Sequence, residues 1–557
     1  MPTSTPPAPA ALAAVLDYHQ RTKHRFEAYA SGPGTLDWDA QPAPFRHFQG
    51  APQIALPRLS AVPPGSALHA ALQRPFARLD DPQQAPLPPD LASLGALLQL
   101  SLGLTAWKSY GPDRWAVRAN PSSGNLHPTE AYLLIAGIDA LQDGLYHYRP
   151  ENHALELRAA HPAAGREPSL AILLTSVMWR EAWKYGERAF RYCQLDTGHA
   201  AGALRYAAAV LGWRLAEQAH VGSDTLARLA GIDRLAEFPA RKRAETELEE
   251  AEILLAASFC AAPPKPLAST GLQALAEHST WHGVASTIDR YPMYSWPAIA
   301  QVAAATRRAD GEAQPATTLP APAPRAPGEA AKPVQALLGE RRSAQRFDRH
   351  HVMGQAQLAA ILARLQPAGL PWDVFAETPH SALVLFVARV EGLAPGLYLL
   401  PRSAAQRDAL RPLLAGRFAL APVPGLEPLL QLASLEPLEL QRSTRSLHCH
   451  QDIASTACFA LGMLAAFDAA LESGSAAYRS LYREAGLIGQ ALYLEAEAQG
   501  LRGTGIGCFF DDPVRALLGL EDHAWQTLYH FTVGLPVEDP RIESAPAYAD
   551  GADTLPH

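Results

Sequence analysis

Two stretches far apart in the chain carry the residue types that bind a phosphorylated planar heterocycle. The first is Arg118-Ala119-Asn120-Pro121-Ser122-Ser123-Gly124-Asn125, in which a proline and short polar side chains favour a turn. The second has two parts, Arg341-Arg342-Ser343-Ala344-Gln345-Arg346 and Gly503-Thr504-Gly505-Ile506-Gly507. Arginines can neutralise a phosphate, Ser and Asn can bond a polar ring edge, and glycines let the backbone approach a ligand. Because neither stretch has all three properties, we expect the two to complete one site by packing face to face.

Flavin mononucleotide (FMN) requires these three properties together, since its phosphate, pyrimidine edge and N5 position each need partners. Taken singly, each motif is typical of ordinary structure, such as a helix start or a turn. Their complementary distribution between two halves favours a flavin site. The predicted cofactor-binding residues are Arg118, Pro121, Ser122, Ser123, Asn125, Arg341, Arg342, Ser343, Arg346, Gly503, Gly505, Ile506 and Gly507.

The length and a change of composition indicate two domains. The chain has 557 residues, whereas single cores stop growing at roughly 250 to 300 residues. A Pro/Ala-rich stretch between them can neither fill a core nor sustain a helix. We therefore predict an N-terminal domain over 1–304, a linker over 305–333, a C-terminal domain over 334–545 and a tail over 546–557.

A repeated pattern within the two domains predicts an internal duplication. The triplet Gly-Leu-Tyr starts at Gly144 and again at Gly396, each time after an apolar run typical of a strand. We expect helices to begin near Asp196 and Glu484, and the glycines at 503–507 to lead into a strand. Glycines that follow a helix and precede a strand argue against a dinucleotide-binding Rossmann motif.

The overall composition indicates a globular protein and argues against nucleic acid as its partner. With 48% hydrophobic and 18% charged residues the chain is predicted to be globular, and its net charge of -8 argues against nucleic acid. Five scattered cysteines disfavour disulfides and structural zinc and fit a reducing cytoplasm. No signal peptide or membrane-spanning run is evident. We expect a soluble cytoplasmic protein that acts on a small molecule or a modified peptide, with no metal.

Several motifs resemble the nitroreductase superfamily, and those of the first half most resemble its SagB-type dehydrogenase branch, which includes azoline oxidases. The first-half motifs are Arg118 to Pro128 followed by Tyr132, Gly144 to Tyr148, Lys184 to Tyr192 and Asp196 to His199. In the second half, Arg341 to Phe347 and Gly503 to Asp512, continuing through Leu518 to Leu520, resemble ordinary nitroreductases.

The resemblance implies an α+β fold, with a mainly antiparallel sheet flanked by helices in each of two tandem nitroreductase-like domains. In that family FMN lies between two subunits, so this chain is expected to form an intramolecular pseudo-dimer. Two segments depart from the family pattern: Thr22 to Phe26 lacks an arginine-rich start, and Glu377 to His380 replaces the Pro-Ser-Ser-Gly-Asn turn. We expect one competent flavin site and one degenerate site.

Lys184 and Tyr185 are the predicted catalytic residues, because the resemblance implies that this pair assists proton removal beside the flavin. Burial could lower the pKa of a lysine toward the working pH. An equally weighted interpretation makes this segment structural, with Glu187 pairing Arg191 at helical spacing.

The expected function is that of an FMN-dependent oxidoreductase that transfers hydride between flavin and an organic substrate or NAD(P)H. Its chemistry would be that of a SagB-type dehydrogenase or of a nitro or quinone reductase. The alternative is a degenerate, non-catalytic scaffold that binds flavin or peptide. His448-Cys449-His450 is interpreted as structural or exposed, Cys508 as a packing residue, and Asp511-Asp512 as the cap of a helix over 514–518.

Overall fold

The computed structural model describes residues 8–81, 84–161, 167–240, 246–260, 262–311, 319–323, 325 and 330–548. Helices and antiparallel strands are both abundant in this part of the chain, which confirms the predicted α+β class. The helices are α1 (Ala8–Arg21), α2 (Ala67–Leu72), α3 (Leu91–Ser101), α4 (Met178–Tyr185), α5 (Ala189–Val210), α6 (Ser223–Ala230), α7 (Ser269–His278), α8 (Pro297–Ala305), α9 (Val334–Glu340), α10 (Gln355–Arg364), α11 (Ala404–Leu414), α12 (Pro437–Leu447), α13 (Asp452–Thr456), α14 (Phe467–Leu471), α15 (Ala477–Ala498) and α16 (Pro513–Leu517).

The strands form two large sheets and two small ones. They are β1 (Phe48–Gln49), β2 (Gln53–Ala55), β3 (Leu104–Tyr110), β4 (Asp113–Arg118), β5 (Thr129–Ala136), β6 (Gly144–Arg149), β7 (Ala154–Ala160), β8 (Ser169–Ser176), β9 (Arg214–Glu217), β10 (Glu250–Ser258), β11 (Thr280–Trp281), β12 (Val284–Ala285), β13 (Ser381–Val387), β14 (Gly396–Leu400), β15 (Ala421–Pro422), β16 (Leu430–Ser434), β17 (Phe459–Ala466), β18 (Arg502–Ile506), β19 (Trp525–Gly534) and β20 (Glu543–Pro546).

The two large sheets share one strand order. The first runs β11-β7-β6-β5-β8-β10-β9, with β2 also paired to β7, and the second runs β15-β16-β14-β13-β17-β19-β18. All of these pairings are antiparallel. The repeated triplets pair alike, because Tyr146 lies opposite Leu133 and Tyr398 opposite Leu385. This correspondence is what an internal duplication would produce, and the duplication itself stays a prediction.

Two long helices join the halves. All 22 residues of α5 are buried, and α15 packs along it. Their apolar residues belong to a single core that also includes the inward faces of both large sheets. The chain then returns to its first half, since β20 pairs with β3 and the Tyr548 hydroxyl donates to the Pro150 carbonyl.

Some sequence-based boundaries were wrong. Asp196 and Glu484 lie inside α5 and α15, which begin one to two turns earlier because the preceding apolar residues also face the core. The glycines do not precede a strand but form β18 themselves. Within the predicted linker, residue 305 ends α8, while 312–318, 324 and 326–329 lie outside the described residues, as do 549–557 of the predicted tail.

Candidate functional site

A cleft of about 470 Å³ lies where three segments meet. They are the serine turn (residues 121–125), the arginine segment (residues 341–346) and the glycine strand (β18 with the following Gly507). The walls of the cleft therefore come from stretches more than 200 positions apart in the chain. Of the predicted site residues, the cleft is lined by Arg118, Pro121, Ser122, Ser123, Asn125, Tyr185, Arg341, Arg342, Ser343, Gly505, Ile506 and Gly507. Lys184, Arg346 and Gly503 do not line it.

The serine turn follows β4 and is fixed by its own polar side chains. Gly124 and Asn125 have φ angles of 58° and 59°, in the left-handed region. The Asn125 amide donates to the Ala116 carbonyl at 2.8 Å, and the Ser122 hydroxyl accepts from the His127 backbone N–H at 3.1 Å. These side chains therefore hold the shape of the cleft wall. Arg118, predicted as a ligand, instead uses its guanidinium to bond the Leu102 and Thr129 carbonyls.

Beneath the turn lies a pair of buried carboxyl groups. Asp196 accepts hydrogen bonds from the Ser123 backbone N–H and hydroxyl, each at 3.0 Å. The Glu181 carboxyl lies against Asp196, and no other hydrogen-bond partner of Glu181 is found among the described residues. Burial raises the pKa of both groups, that of Asp196 to about 7 despite the bonds from Ser123. Because burial disfavours the charged forms, the pair retains protons in the folded protein to a higher pH than in an unfolded chain.

Positively charged side chains outnumber carboxyl groups in the lining of the cleft. Lys108, Arg341, Arg342 and Arg502 line it together. Burial, and then the neighbouring Arg341 and Arg502, lower the pKa of Arg342 to about 10. Burial and mutual repulsion disfavour the charged form of these side chains. A bound anion would offset that repulsion, so the site is suited to an anion.

Arg341 supplies the most direct sign of a missing partner. The residue is 2% exposed, and its guanidinium donates to the carbonyls of Arg118 and Ala119. Its Nη1 atom is buried and has no hydrogen-bond partner among the described residues. A buried N–H group left unpaired costs about 1–3 kcal/mol, so a ligand that accepts from it gains affinity.

Tyrosines pack against the glycine strand and explain its composition. A Cβ atom on Gly505 would lie 1.8 Å from the Tyr529 hydroxyl, and one on Gly507 would lie 2.3 Å from the Tyr192 ring. The Tyr493 hydroxyl accepts from the Gly505 backbone N–H at 3.0 Å and bonds Ser343 at 2.8 Å. The glycines are thus required by close approach of aromatic walls that also line the cleft.

Lys184 and Tyr185 end α4 beside the serine turn. A Cβ atom on Gly124 would lie 2.6 Å from the Tyr185 hydroxyl and 3.2 Å from the Lys184 Nζ. Burial lowers the pKa of Lys184, and nearby Glu181 opposes that shift. The predicted pairing of Glu187 with Arg191 is wrong. Each of the two residues has a different ion-pair partner: Glu187 pairs with Arg21 at 2.6 Å, and Arg191 pairs with Asp511 at 2.6 Å.

The Asp511 contact also corrects the predicted helix cap. Asp511 pairs with Arg188 and Arg191 of the first half, and the Asp512 carboxyl binds Lys23. Asp512 occupies the N-cap position of α16 but makes no cap hydrogen bond to the helix backbone, and its carboxyl also accepts from the Arg515 side chain of that helix at 3.0 Å.

Several lining residues were not predicted: Lys108, Tyr192, Asp196, His199, Tyr493, Arg502 and Tyr529. An acidic residue in the alanine-rich sequence of α5 was an available signal for Asp196, whereas the tyrosines read as core positions. Among the described residues, no cluster of three or more His, Cys, Asp or Glu is placed to hold a metal. None of the described helices is long and apolar enough to cross a membrane.

Comparison with known proteins identifies the second half most clearly. Residues 338–535 match the Nitroreductase family, so the chain contains a nitroreductase-family domain. A "Putative nitroreductase" of Methanocaldococcus jannaschii is 27% identical over 138 residues, which are 22% of this chain and 66% of that protein. The chain therefore spans slightly less than two thirds of that relative.

The fold of nearly the whole chain has a solved counterpart. A "putative nitroreductase" structure from Anabaena variabilis matches with a TM-score of 0.65 and 23% identity, covering 94% of this chain and 99% of that chain. The similarity extends across both large sheets, so the two halves together adopt a known arrangement.

Proposed function

We propose that the protein is an FMN-dependent oxidoreductase whose single flavin site is the cleft between the serine turn, the arginine segment and β18. The observation that carries this proposal is the convergence of a buried, unpaired Arg341 Nη1 with a cationic pocket and a glycine-lined wall. The family match of the second half supports it. When bound, FMN supplies the capacity to accept and return a hydride.

The residues present fit this cofactor in charge and in space. Arg341, Arg342 and Arg502 would hold the phosphate, with Lys108 adding charge. The volume of about 470 Å³ is within the range of roughly 300–1,000 Å³ typical of such sites. β18 and the tyrosines packed against its glycines would form one wall beside the ring, and the turn at 122–125 would border it. Asp196 would act indirectly, by fixing the turn through Ser123.

We propose that Lys184 and Tyr185 exchange a proton with the substrate. Both lie beside Gly124, a lining residue of the cleft, and Tyr185 lines the cleft itself. The lowered pKa of Lys184 makes its neutral form more accessible, as a base requires. This element modestly favours oxidation of a carbon-nitrogen bond, as in SagB-type dehydrogenases, over reduction of nitro compounds or quinones with NAD(P)H.

The position related to the cleft by the matching fold supports only a degenerate second site. There Glu484 of α15 accepts from the backbone N–H groups of His380 and Ser381, as Asp196 of α5 does from Ser123. The space directly against Glu484 is about 30 Å³, but it adjoins a cavity of about 1110 Å³ that is also lined by Glu217, Leu319 and Phe375. The second site is proposed as degenerate on charge, because arginines that line this cavity are paired with carboxylates, Arg364 with Asp80 and Arg325 with Glu495. One flavin per chain, two tandem domains over 1–304 and 334–545, and an intramolecular pseudo-dimer form part of the proposal, as does a cytoplasmic location.

Reconstitution with FMN tests the proposal. We expect the purified chain, freed of excess FMN by gel filtration, to retain one flavin that bleaches under dithionite. Steady-state assays with NAD(P)H and a quinone, against oxygen consumption with an azoline-containing peptide, would then separate the two chemistries. A colourless protein that fails to retain added FMN would overturn the proposal and favour the non-catalytic scaffold.

A further inference from the structure

Two cysteines from separate segments meet at the rim of the cleft. Cys508 directly follows the glycine strand and lines the cleft, whereas Cys449 follows α12. The two segments pack together, since the Phe510 backbone N–H donates to the Leu447 carbonyl at 3.2 Å and the His450 ring lies 5.5 Å from that of Phe510. The two thiols interact with each other, and both are free and partly exposed. The Gln451 amide donates to the Cys508 carbonyl at 2.9 Å, which ties the two segments together.

A histidine from the first half completes this cluster. The His24 Nδ1 accepts from the Ala30 backbone N–H at 2.9 Å, so a neutral His24 ring carries its proton on Nε2. Because His24 also hydrogen-bonds Cys508, that proton is donated to sulfur. Hydrogen bonds from Cys449 and His24 lower the pKa of Cys508 to about 5, with Arg188 adding positive charge. A thiol in this setting is largely thiolate at neutral pH, which is the form that reacts with disulfides.

The backbone at Cys449 is held in an uncommon conformation. Cys449 and His450 have φ angles of 50° and 59°, and neither is a glycine. Such residues cost on the order of 1–3 kcal/mol and are maintained where the surrounding structure requires them. The neighbouring His448 is buried, with its ring 4.5 Å from that of His530. His448 therefore anchors the segment, and the left-handed turn directs Cys449 toward Cys508.

We propose that Cys449 and Cys508 form a dithiol-disulfide couple that exchanges two electrons with the flavin in the cleft. Oxidation of the couple, from the Cys508 thiolate and the Cys449 thiol, joins the two sulfur atoms in one S–S bond, releases one proton and passes two electrons to oxidised flavin. The reverse transfer takes two electrons from reduced flavin and one proton, and it breaks the S–S bond. The inference rests on the proposed function for its electron partner. The couple would allow thiol compounds to serve as electron donors to this enzyme.

The first test follows the sulfur chemistry without relying on turnover. The full chain is equilibrated anaerobically in buffers of oxidised and reduced dithiothreitol, alkylated, digested and analysed by mass spectrometry. We expect a Cys449–Cys508 cross-linked peptide that appears and disappears reversibly, while the exposed Cys260 and the buried Cys193 form no intramolecular cross-link. Absence of that cross-link overturns the proposal.

The second test counts electrons in the FMN-loaded protein. After oxidation of the couple, anaerobic titration with dithionite should consume about twice the reducing equivalents per flavin in the wild type as in Cys449→Ser, because the disulfide adds a two-electron acceptor. Cys449→Ala serves as a second variant, and both are checked for the FMN spectrum. Equal consumption by wild type and variants overturns the couple while leaving the flavin site intact. A chain that retains no FMN but still forms the cross-link refutes the proposed function and the electron exchange together.

Discussion

Gly198 of α5 and Gly486 of α15 occupy reciprocal positions where the two helices cross. A Cβ atom on Gly198 would lie 2.1 Å from the Arg483 carbonyl oxygen, and one on Gly486 would lie 2.1 Å from the Leu195 carbonyl oxygen. The helices therefore approach each other backbone to backbone at this point.

This crossing predicts that Gly486→Ala destabilises the protein by about 1–3 kcal/mol, because a methyl group forces the two backbones apart. Chemical denaturation would measure the change. Gly271→Ala is the matched control, since it lies in α7 with nothing within 4 Å of its Cβ position. An unchanged free energy of unfolding for Gly486→Ala would contradict the close approach.

Arg342 and Arg346 provide a comparison within one segment. Arg342 lines the cleft, whereas Arg346 is exposed and outside it. We expect Arg342→Ala to weaken FMN binding by about ten- to a hundred-fold, the loss typical of a charge-assisted hydrogen bond. Arg346→Ala should bind FMN as the wild type does. Fluorescence quenching of FMN would give both dissociation constants, and equal weakening by the two variants would remove the phosphate assignment from the cleft.

Removal of the Lys184 amine should impair chemistry more than cofactor binding. We expect Lys184→Ala to retain FMN and to lose about 10²–10⁴-fold in kcat with the active substrate, as for removal of a general base. The exposed Lys265→Ala is the control. Full turnover in flavin-loaded Lys184→Ala would show that the residue is structural.

The buried carboxyl pair predicts that stability falls as pH rises toward neutrality. The pKa of Asp196 is raised to about 7 in the folded protein, against about 3.9 in an unfolded chain. Its contribution is therefore complete at acidic pH and is lost as pH rises through the folded value.

Glu181→Gln should reduce this dependence, because the substitution removes one of the two buried carboxyls whose pKa is raised, and with it a proton that the folded protein retains. Denaturation between about pH 5 and about pH 8 should show a smaller slope in Glu181→Gln than in the wild type. The exposed Glu472→Gln should retain the wild-type slope. Parallel curves for all three proteins would show that Glu181 does not contribute to the pH dependence of stability.

The sequence predicted the elements whose pattern is local. The Gly-Leu-Tyr strands were correct because an apolar run and a glycine boundary determine a strand within a few residues. The starts of α5 and α15 were missed, because the burial of every residue of α5 and of most residues of α15 removes the polar face that marks a helix.

The residues of the cleft were likewise predictable where the signal is local and not where it depends on tertiary packing. Polar motifs such as Arg341 and Ser122 were recognisable by residue type, and both line the cleft. The tyrosine walls depend on which strand passes which helix, and that is a property of tertiary packing. Glu187 shows why sequence spacing alone was insufficient. Arg191 lies four positions after it, but its carboxyl pairs with Arg21 of α1.

The complete burial of α5 has a consequence for synthesis on the ribosome. The last residue of α5, Val210, precedes Ala477, the first residue of its principal partner α15, by 477 − 210 = 267 positions. Until that partner is made, the nascent first half must present an apolar helix face to water, where it is exposed to aggregation. Maturation of this chain is therefore expected to depend on chaperones that shield the face until translation is nearly finished.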